Sequence, residues 1–369
     1  MIRRRPFALP HPDQVPALSA LMRDRAPAGP IGDQGSLLDA ALAHGLGTAL
    51  AAAVEAGRID LDAEHRGRLG RACAMQLARV EALRAELEEV APLITGACGV
   101  PPVCVKGPAV ADRLYAGGPR RPFGDLDLVV PRERLDDAAA ALTAEGWIED
   151  LEFAHGFAAR FGHELHQRRR RGGIWLLSEL HWRIGDDPLC ESLDYRLLAD
   201  GAEPLERHPA ALAAAPPAEL LLLCVHFLGD RERRLIWIDD IRRAAERADA
   251  GEWSAAFALA SRIGLDWALH RGLDYAERYA GLRRERPSPA GPPPPFGPLR
   301  ATEELEMRAS LHVGRLATLR GRDRLRYLRT VLIPTREGLA GTAGTDGAPA
   351  WRAALRHVRS AIAGILPRR

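Results

Sequence analysis

The stretch VKGPAVADRLYAGGPRRPFGDLDLVV, residues 105–130, holds two short apolar runs separated by a helical pattern and a glycine-proline break. The first run, Pro102–Val105, predicts a buried strand that stops at Lys106-Gly107. A helix is expected from Pro108 to Tyr115, because proline in the first turn of a helix costs no hydrogen bond. The second run, Asp125–Val130, predicts another strand. A strand–helix–strand unit therefore lies at the centre of the chain.

Apolar periodicity predicts helices on both sides of this unit. Upstream, helices are expected over residues 36–57 and 64–93. Downstream, we expect a helix over 135–145, strands over 161–167 and 174–184 with an exposed hairpin tip at 168–173, and helices over 220–228, 235–247 and 253–279. This order, helices followed by a small α/β unit and then more helices, predicts an α+β fold.

Changes in composition divide the chain into five ranges. They are an N-terminal helical region (1–96), an α/β core (97–200), a helical domain (201–285), a proline-rich linker (286–300) and a basic C-terminal helical region (301–369). The linker is placed by its clustered prolines, which favour extended polyproline structure over helix or sheet.

Composition also narrows the function classes. The 369 residues carry a formal net charge of +2, which is too small for the protein as a whole to attract nucleic acid or an anionic membrane. The five cysteines form no C-x-x-C pair, which argues against a disulfide framework and a structural zinc site. The start of the chain lacks the apolar segment of a signal peptide, and no apolar run is long enough to cross a bilayer. We therefore expect a cytoplasmic protein without a membrane span.

Lysine occurs at a single position. Lysine and arginine together number 51, yet Lys106 is the one lysine and asparagine is absent. A GC-rich genome explains both losses, because the codons of these residues are AT-rich, but it does not explain why this lysine remains. Lysine is a compact charge with rotating donors, whereas arginine is a planar fork. We expect the ammonium of Lys106 to have a specific role.

Two aspartates open the second predicted strand. Asp125 and Asp127 are two residues apart, so their carboxylates project from one face of a strand, immediately before an apolar run. Adjacent carboxylates repel unless a cation lies between them. A divalent metal supplies that cation, and oxygen ligands suit Mg²⁺. Two aspartates on a solvent-exposed strand edge remain the alternative at this point.

A third carboxylate, Glu179, lies within the apolar segment WLLSELHW, where a charged group needs a partner. Two aspartates on one strand and a glutamate on a neighbouring strand can hold two metal ions, which lie about 3.5–4 Å apart in two-metal phosphate chemistry. The alternative is an ion pair between Glu179 and Arg183 on the same strand face.

The segment Lys106-Gly107 offers the complementary half of such a site. A strand that ends there and opens a helix presents backbone N–H groups and one ammonium to an anion. The spacing is not that of a Walker A loop. Arg120 and Arg121 could add guanidinium contacts to a triphosphate, although a solvated loop explains them equally well.

Residues 105–130 together with SELHWRI, residues 178–184, resemble a poorly characterised nucleotidyltransferase family of the DNA polymerase β superfamily. Its members typically read L-K-G-x-A-L, then a D-[IL]-D-L strand, then a carboxylate two residues before His-Trp. The resemblance extends to LLLLCVHFLGDRERRLIWIDDIRR, residues 220–243. Genes of this family often lie beside peptide natural-product genes, including those of lasso peptides, which implies a peptide as one candidate acceptor.

The resemblance implies a small mixed sheet that holds two Mg²⁺ ions and a nucleoside triphosphate. Asp125 and Asp127 would ligate both metals, and Glu179 would hold the catalytic metal and help to deprotonate the acceptor. Lys106, Gly107 and Arg121 would face the nucleotide. Pro108 follows the glycine where the wider superfamily has a serine, so the hydroxyl contact of that serine is missing here.

The remaining candidates have ordinary structural explanations beside their functional ones. His163-Glu164-Leu165-His166 lacks the H-E-x-x-H spacing of zinc proteases, and an alternating strand fits it better. His181 is expected to pack beside the metal ligands rather than to act as a catalyst. His226 and Asp230 could contact the acceptor or could serve only in ion pairs and helix capping. An acidic or nucleic-acid acceptor could dock on the arginines at 168–171, although nucleic acid is not favoured.

Together these features predict a Mg²⁺-dependent nucleotidyltransferase that moves a nucleoside monophosphate from an NTP to an unidentified acceptor and releases pyrophosphate. Phosphoryl transfer of the kinase type on the same site is one alternative. A module of this fold that binds a partner without turnover is the other, and the proline at position 108 favours it.

Overall fold

The computed structural model describes residues 14–27, 32–118, 120–149, 162–185, 188–229, 234–289, 316, 319 and 321–332. Asp230, most of the expected linker and the amphipathic pattern at 351–365 lie outside the described residues.

Seven short strands form one mixed sheet. They are β1 (Val103–Cys104), β2 (Leu126–Val129), β3 (Ile148–Glu149), β4 (Glu164–Arg171), β5 (Ile174–His181), β6 (Glu203–Pro204) and β7 (Leu212–Ala213). Their order in the sheet is β3-β4-β5-β2-β1-β7-β6. The pairs β2–β5 and β1–β7 are parallel, and the other neighbours are antiparallel. The expected α+β fold with a mixed sheet is confirmed.

Twelve α-helices are described around this sheet. They are α1 (Val15–Met22), α2 (Gln34–Ala43), α3 (Gly47–Glu55), α4 (Ala63–Cys98), α5 (Pro108–Leu114), α6 (Leu135–Ala144), α7 (Tyr195–Ala199), α8 (Pro216–Gly229), α9 (Leu235–Arg247), α10 (Ala250–Arg262), α11 (Asp266–Ala280) and α12 (Gly321–Leu332). The predictions of single helices over 36–57 and 253–279 are wrong, since each range contains two helices. Gly45 and Gly264, both with positive φ, lie in the breaks.

The β4–β5 hairpin turns at Gly172-Gly173 alone. Both glycines have positive φ (54° and 84°), which is what a two-residue type I′ turn requires. Arg171 therefore pairs with Ile174, and Arg168–Arg171 belong to β4. The expected six-residue hairpin tip is wrong for this reason.

Three arginines of β4 contact other side chains. Arg169 and Arg171 reach the fully buried carboxylate of Glu86 on α4, at 3.1 and 2.8 Å. Arg168 lies over the ring of Trp175, with its guanidinium carbon 5.2 Å from the ring centroid. Because strand residues alternate between faces, the odd-numbered arginines turn towards α4 and the even-numbered positions turn to the opposite face.

The sheet lies between two hydrophobic cores. Along β2, Leu126 and Leu128 pack on the face covered by α4 and α6, whereas Val129 belongs to the core on the other face. The core on the other face contains helices that precede the strands and helices that follow them in sequence. A direct hydrogen bond joins the two groups, since the hydroxyl of Ser19 donates to the carbonyl of Tyr279 at 2.5 Å. The helices of ranges 1–96 and 201–285 thus share one core, while the domain boundaries stay a prediction.

No described helix combines the length and the apolar character needed to cross a bilayer. The five cysteines are buried thiols, and none forms a disulfide.

A buried glutamate on α8 makes the fold sensitive to pH. Burial raises the pKa of Glu219 to about 7, and Arg113, 3.7 Å away, opposes the rise only in part. In the unfolded chain this carboxyl titrates near its ordinary value of 4.5. Ionisation therefore favours the unfolded state, so stability is lost as the pH rises from about 4.5 through 7.

We expect Glu219→Gln to remove this loss. Between pH 5 and pH 8, urea unfolding should show the wild type losing about 2–3 kcal/mol more stability than the variant. Glu277→Gln, at an exposed site on α11, is the matched control and should follow the wild type. Equal pH profiles for Glu219→Gln and wild type would show that burial does not raise the pKa of this carboxyl in the folded protein.

Candidate active site

Three neighbouring strands bring the chemically active side chains to one face of the sheet. Asp127 on β2 pairs with Glu179 on the parallel strand β5. On the other side of β5, His166 pairs with Glu179 and Glu164 pairs with His181. Side chains paired across strands share a face and lie close together. The carboxylate pair expected from the sequence is therefore assembled, and two groups from β4 join it.

Asp127 is the most buried group of the cluster. Its Oδ1 lies 2.5 Å from Nζ of Lys106 and accepts a hydrogen bond from Nε2 of His181 at 3.1 Å. Burial alone would raise the pKa of Asp127, but Lys106 and His181 outweigh it and hold the carboxyl ionised. Its Oδ2 is buried and has no hydrogen-bond partner in the described part of the chain. A buried carboxylate oxygen without a partner is costly, and a cation would satisfy it.

Asp125 precedes β2 and is half-buried. Burial raises its pKa to about 7, and the negative charges of Asp127 and Glu179 add to the rise. Asp127 and Glu179 bring oxygen ligand atoms within 4.8 Å of each other and of a ring nitrogen of His181, a group that does not include Asp125. Carboxylates that repel one another are stabilised by a cation, and their oxygens suit Mg²⁺. The residues present thus fit the divalent cation expected from the sequence.

Gly107 is required by its backbone conformation. Its φ is 49°, and a Cβ at this position would lie 3.3 Å from the carbonyl oxygen of Asp125. Glycine at this position allows the segment after β1 to pass close to the backbone of Asp125. The sequence accordingly places Lys106 and Asp127 within ion-pair distance across adjacent strands.

Glu179 faces two imidazoles. Its carboxylate oxygens lie 3.5 Å from Nε2 of His181 and 3.7 Å from Nε2 of His166. Burial alone would lower the pKa of His166, but the carboxylates of Glu164 and Glu179 outweigh burial and raise the pKa to about 9. Arg183, the expected alternative partner of Glu179, lies 3.6 Å from Glu191.

Arg121 lies in a buried ion pair with Asp240, and its charge also opposes the rise in the pKa of Asp125. Its Nε and Nη2 donate to the two oxygens of Asp240 on α9, at 2.8 and 2.6 Å. The hydroxyl of Tyr115 donates to the same carboxylate at 2.7 Å. This pairing fixes the loop before β2 against α9. A nucleotide contact by Arg121 would have to compete with it, so the expected nucleotide-binding role of Arg121 stays a prediction.

His226 and Asp230 were expected as possible contacts of the acceptor, and the structure describes only His226. His226 on α8 packs edge-on against Trp237, with ring centroids 4.6 Å apart. Burial, aided by the charge of Lys106, lowers its pKa well below the ordinary range, so the ring is neutral. Asp230 is outside the described residues.

A cavity of about 690 Å³ lies at the far end of α5. Arg84, Arg120 and Arg121 line it, whereas Asp125 and Asp127 do not. The carboxylates, and not this cavity, therefore define the candidate active site.

Glu164 and His166 were not expected in the site. Their segment, His163–His166, was interpreted as an alternating strand, and β4 does begin at Glu164 with alternating burial. The sequence did not indicate which strand would pair with this segment and so which side chains would lie beside its polar residues. The available signal was the repeat of histidine and glutamate in both H-E-L-H and E-L-H, which strands paired in register would bring together.

One aspartate just before a central strand of a mixed sheet, a second aspartate on that strand and a glutamate on the strand beside it form the arrangement that the resemblance in the sequence implied. The chain belongs to the family described as uncharacterised nucleotidyltransferase, whose family model matches residues 32–281. The family expected from the sequence is confirmed. No curated protein and no solved structure gives a significant match.

The pairing of Arg121 predicts a structural cost on its removal. Arg121→Ala leaves the buried carboxylate of Asp240 without its cation, which costs about 3–5 kcal/mol. Arg120→Ala, at the adjacent exposed position, should cost less than about 1 kcal/mol. Urea unfolding of both variants measures the difference. Unchanged stability of Arg121→Ala together with weaker nucleotide binding would instead assign Arg121 to the nucleotide.

Proposed function

We propose that this nucleotidyltransferase is Mg²⁺-dependent and transfers a nucleoside monophosphate from an NTP to an acceptor hydroxyl or phosphate, releasing pyrophosphate. The observation that carries the proposal is the unpartnered Oδ2 of Asp127, buried in register with Glu179 and two residues from Asp125. Bound Mg²⁺ would stabilise the charge that develops on the attacking and leaving oxygens during in-line displacement.

The chain's own residues have separable roles in this proposal. Asp125, Asp127 and Glu179 would hold the metal. Lys106 has three N–H donors, and the ion pair with Asp127 occupies one direction, so the others can reach phosphate oxygens. The side chain of Glu179 is more exposed than that of Asp127, at 14% against 1%, and it can accept the proton of an incoming hydroxyl.

The decisive experiment follows the label of the nucleotide. Each of the four NTPs, carrying label at the α- or the γ-phosphate, is incubated with Mg²⁺ and a panel of hydroxyl, phosphate and peptide acceptors. Transfer of the α-label with release of pyrophosphate supports the proposal. Transfer of the γ-label with release of NDP would establish phosphoryl transfer instead.

Binding separates the enzyme from a module without turnover. Calorimetry with non-hydrolysable NTP analogues should show affinity that depends on Mg²⁺. Absence of metal-dependent NTP binding would overturn the proposal and favour a binding module.

Removing either aspartate should abolish transfer. We expect Asp125→Asn and Asp127→Asn each to lower the rate by about 10²–10⁴-fold, because each removes a metal ligand worth several kcal/mol of transition-state stabilisation. Asp60→Asn, at a side chain that is 94% exposed, is the matched control and should retain the wild-type rate. Wild-type rates in both site variants, with folding verified by circular dichroism, would contradict the assignment.

The single lysine should resist replacement by arginine. Lys106→Arg keeps the charge but puts a wide planar fork where one Nζ lies 2.5 Å from Asp127. We expect transfer to fall by about tenfold or more, equivalent to about 1.4 kcal/mol. Arg66→Lys, an exposed exchange on α4, serves as the control. Equal rates for Lys106→Arg and the wild type would show that charge alone suffices there.

A further inference from the structure

A second cluster of potential metal-ligand side chains lies beside the carboxylates, where the end of β5 meets the start of β4. Oε2 of Glu164 lies 2.9 Å from Nε2 of His163 and 3.3 Å from Nδ1 of His181. One ligand atom from each of these three residues falls within 4.8 Å of the others. The two imidazole rings are 5.7 Å apart between centroids and tilted by 40°. Two ring nitrogens and one carboxylate oxygen thus converge on one point.

The ring of His181 is oriented by its other nitrogen. Nε2 of His181 donates to Oδ1 of Asp127 at 3.1 Å. The other ring nitrogen of His181, Nδ1, lies on the side of Glu164. This Nδ1 is buried and has no hydrogen-bond partner among the residues that the structure describes. It lies 3.3 Å from Oε2 of Glu164, and a metal ion bound by both atoms would give this buried nitrogen a partner.

The surroundings match those of a metal-bound histidine. Histidines that ligate a metal generally donate their other ring N–H to a carboxylate or carbonyl, and ligating carboxylates are themselves held by hydrogen bonds. His181 donates to Asp127 through Nε2. The second oxygen of Glu164, Oε1, lies 3.0 Å from Nε2 of His166. Both supporting contacts of a ligand set are therefore present.

We propose that His163, Glu164 and His181 bind a transition-metal dication of the zinc class at a site separate from the Mg²⁺ ligands. Two imidazoles and one carboxylate favour Zn²⁺ or a similar ion, whereas Mg²⁺ prefers oxygen ligands alone. Three protein ligands leave a coordination position open for water or substrate.

The site is accessible from one side and anchored on the other. The side chains of His163 and Glu164 are 17% and 25% exposed, and that of His181 is 3% exposed. An ion can therefore enter past the first two residues and meet the buried ring. Since the same ring holds Asp127, the ion would fix the position of the aspartate on β2.

The test measures metal content directly and does not depend on nucleotide transfer. The full chain is dialysed against Zn²⁺ in a large excess of Mg²⁺, and bound zinc is measured by elemental analysis and calorimetry. We expect one Zn²⁺ per chain. Because loss of a supporting partner alone costs about 10–100-fold in metal affinity, Glu164→Gln and His163→Ala should each weaken Zn²⁺ binding by at least about 100-fold.

Two controls separate this site from the Mg²⁺ ligands. Asp125→Asn should lose nucleotide transfer and keep Zn²⁺, since Asp125 is outside the three-residue set. His65→Ala removes a histidine of α4 whose partner is Asp62, and should keep both. Zinc binding without any nucleotide transfer by the wild type would leave this site standing and overturn only the proposed function.

Three results would overturn the site. The first is the absence of stoichiometric Zn²⁺ in the wild type. The second is retention of Zn²⁺ by both Glu164→Gln and His163→Ala. The third is a ¹⁵N spectrum in saturating Zn²⁺ that shows both ring nitrogens of His181 protonated, because a proton would then occupy the position assigned to the ion.

Discussion

The carboxylate of Asp127 is buried at the centre of the sheet, and much of the surrounding structure supplies it with positive charge. Lys106 and His181 both contact its Oδ1. A charged group can remain ionised in such a place only when partners replace the water it has lost. The ammonium comes from the segment that follows β1 on one side, and the imidazole comes from β5 on the other. The position of Asp127 therefore constrains both neighbouring strands.

Strand register gathers the rest of the site. The parallel pairing of β2 with β5 brings Glu179 beside Asp127, and the antiparallel pairing of β5 with β4 adds Glu164 and His166. All of these side chains share one face, while Leu126, Leu128 and Leu180 on the opposite face pack against α4 and α6. The apolar face holds the strands in register, and the register holds the polar face together.

How far the sequence predicts this site depends on the range of each interaction. The D-x-D spacing and the apolar run after it identify Asp125 and Asp127 locally, and Leu235–Arg247 matches α9 residue for residue. The hairpin register is different. A six-residue tip at 168–173 would pair Gln167 with Ile174 and hence His166 with Trp175, whereas the Gly172-Gly173 turn pairs His166 with Glu179.

Contacts between distant segments were beyond prediction from spacing. Arg121 and Asp240 are 119 positions apart, and no pattern in either segment identifies the other. A surplus of arginine in the chain also hides which guanidinium is buried. Arg120 and Arg121 look alike in sequence, yet one is largely exposed and the other is sealed against α9.

The longest helix has a consequence for how the molecule unfolds. α4 runs for 36 residues, about 54 Å. Leu69 and Cys73 near its start belong to the helical core, and Leu83, Leu87 and Ile94 belong to the core beneath the sheet. Unfolding of either core would remove the packing partners of one half of α4 and thereby destabilise the other half of the helix. The sheet and the helices around it are thereby coupled into one cooperative folding unit, with α4 as the element that both halves need.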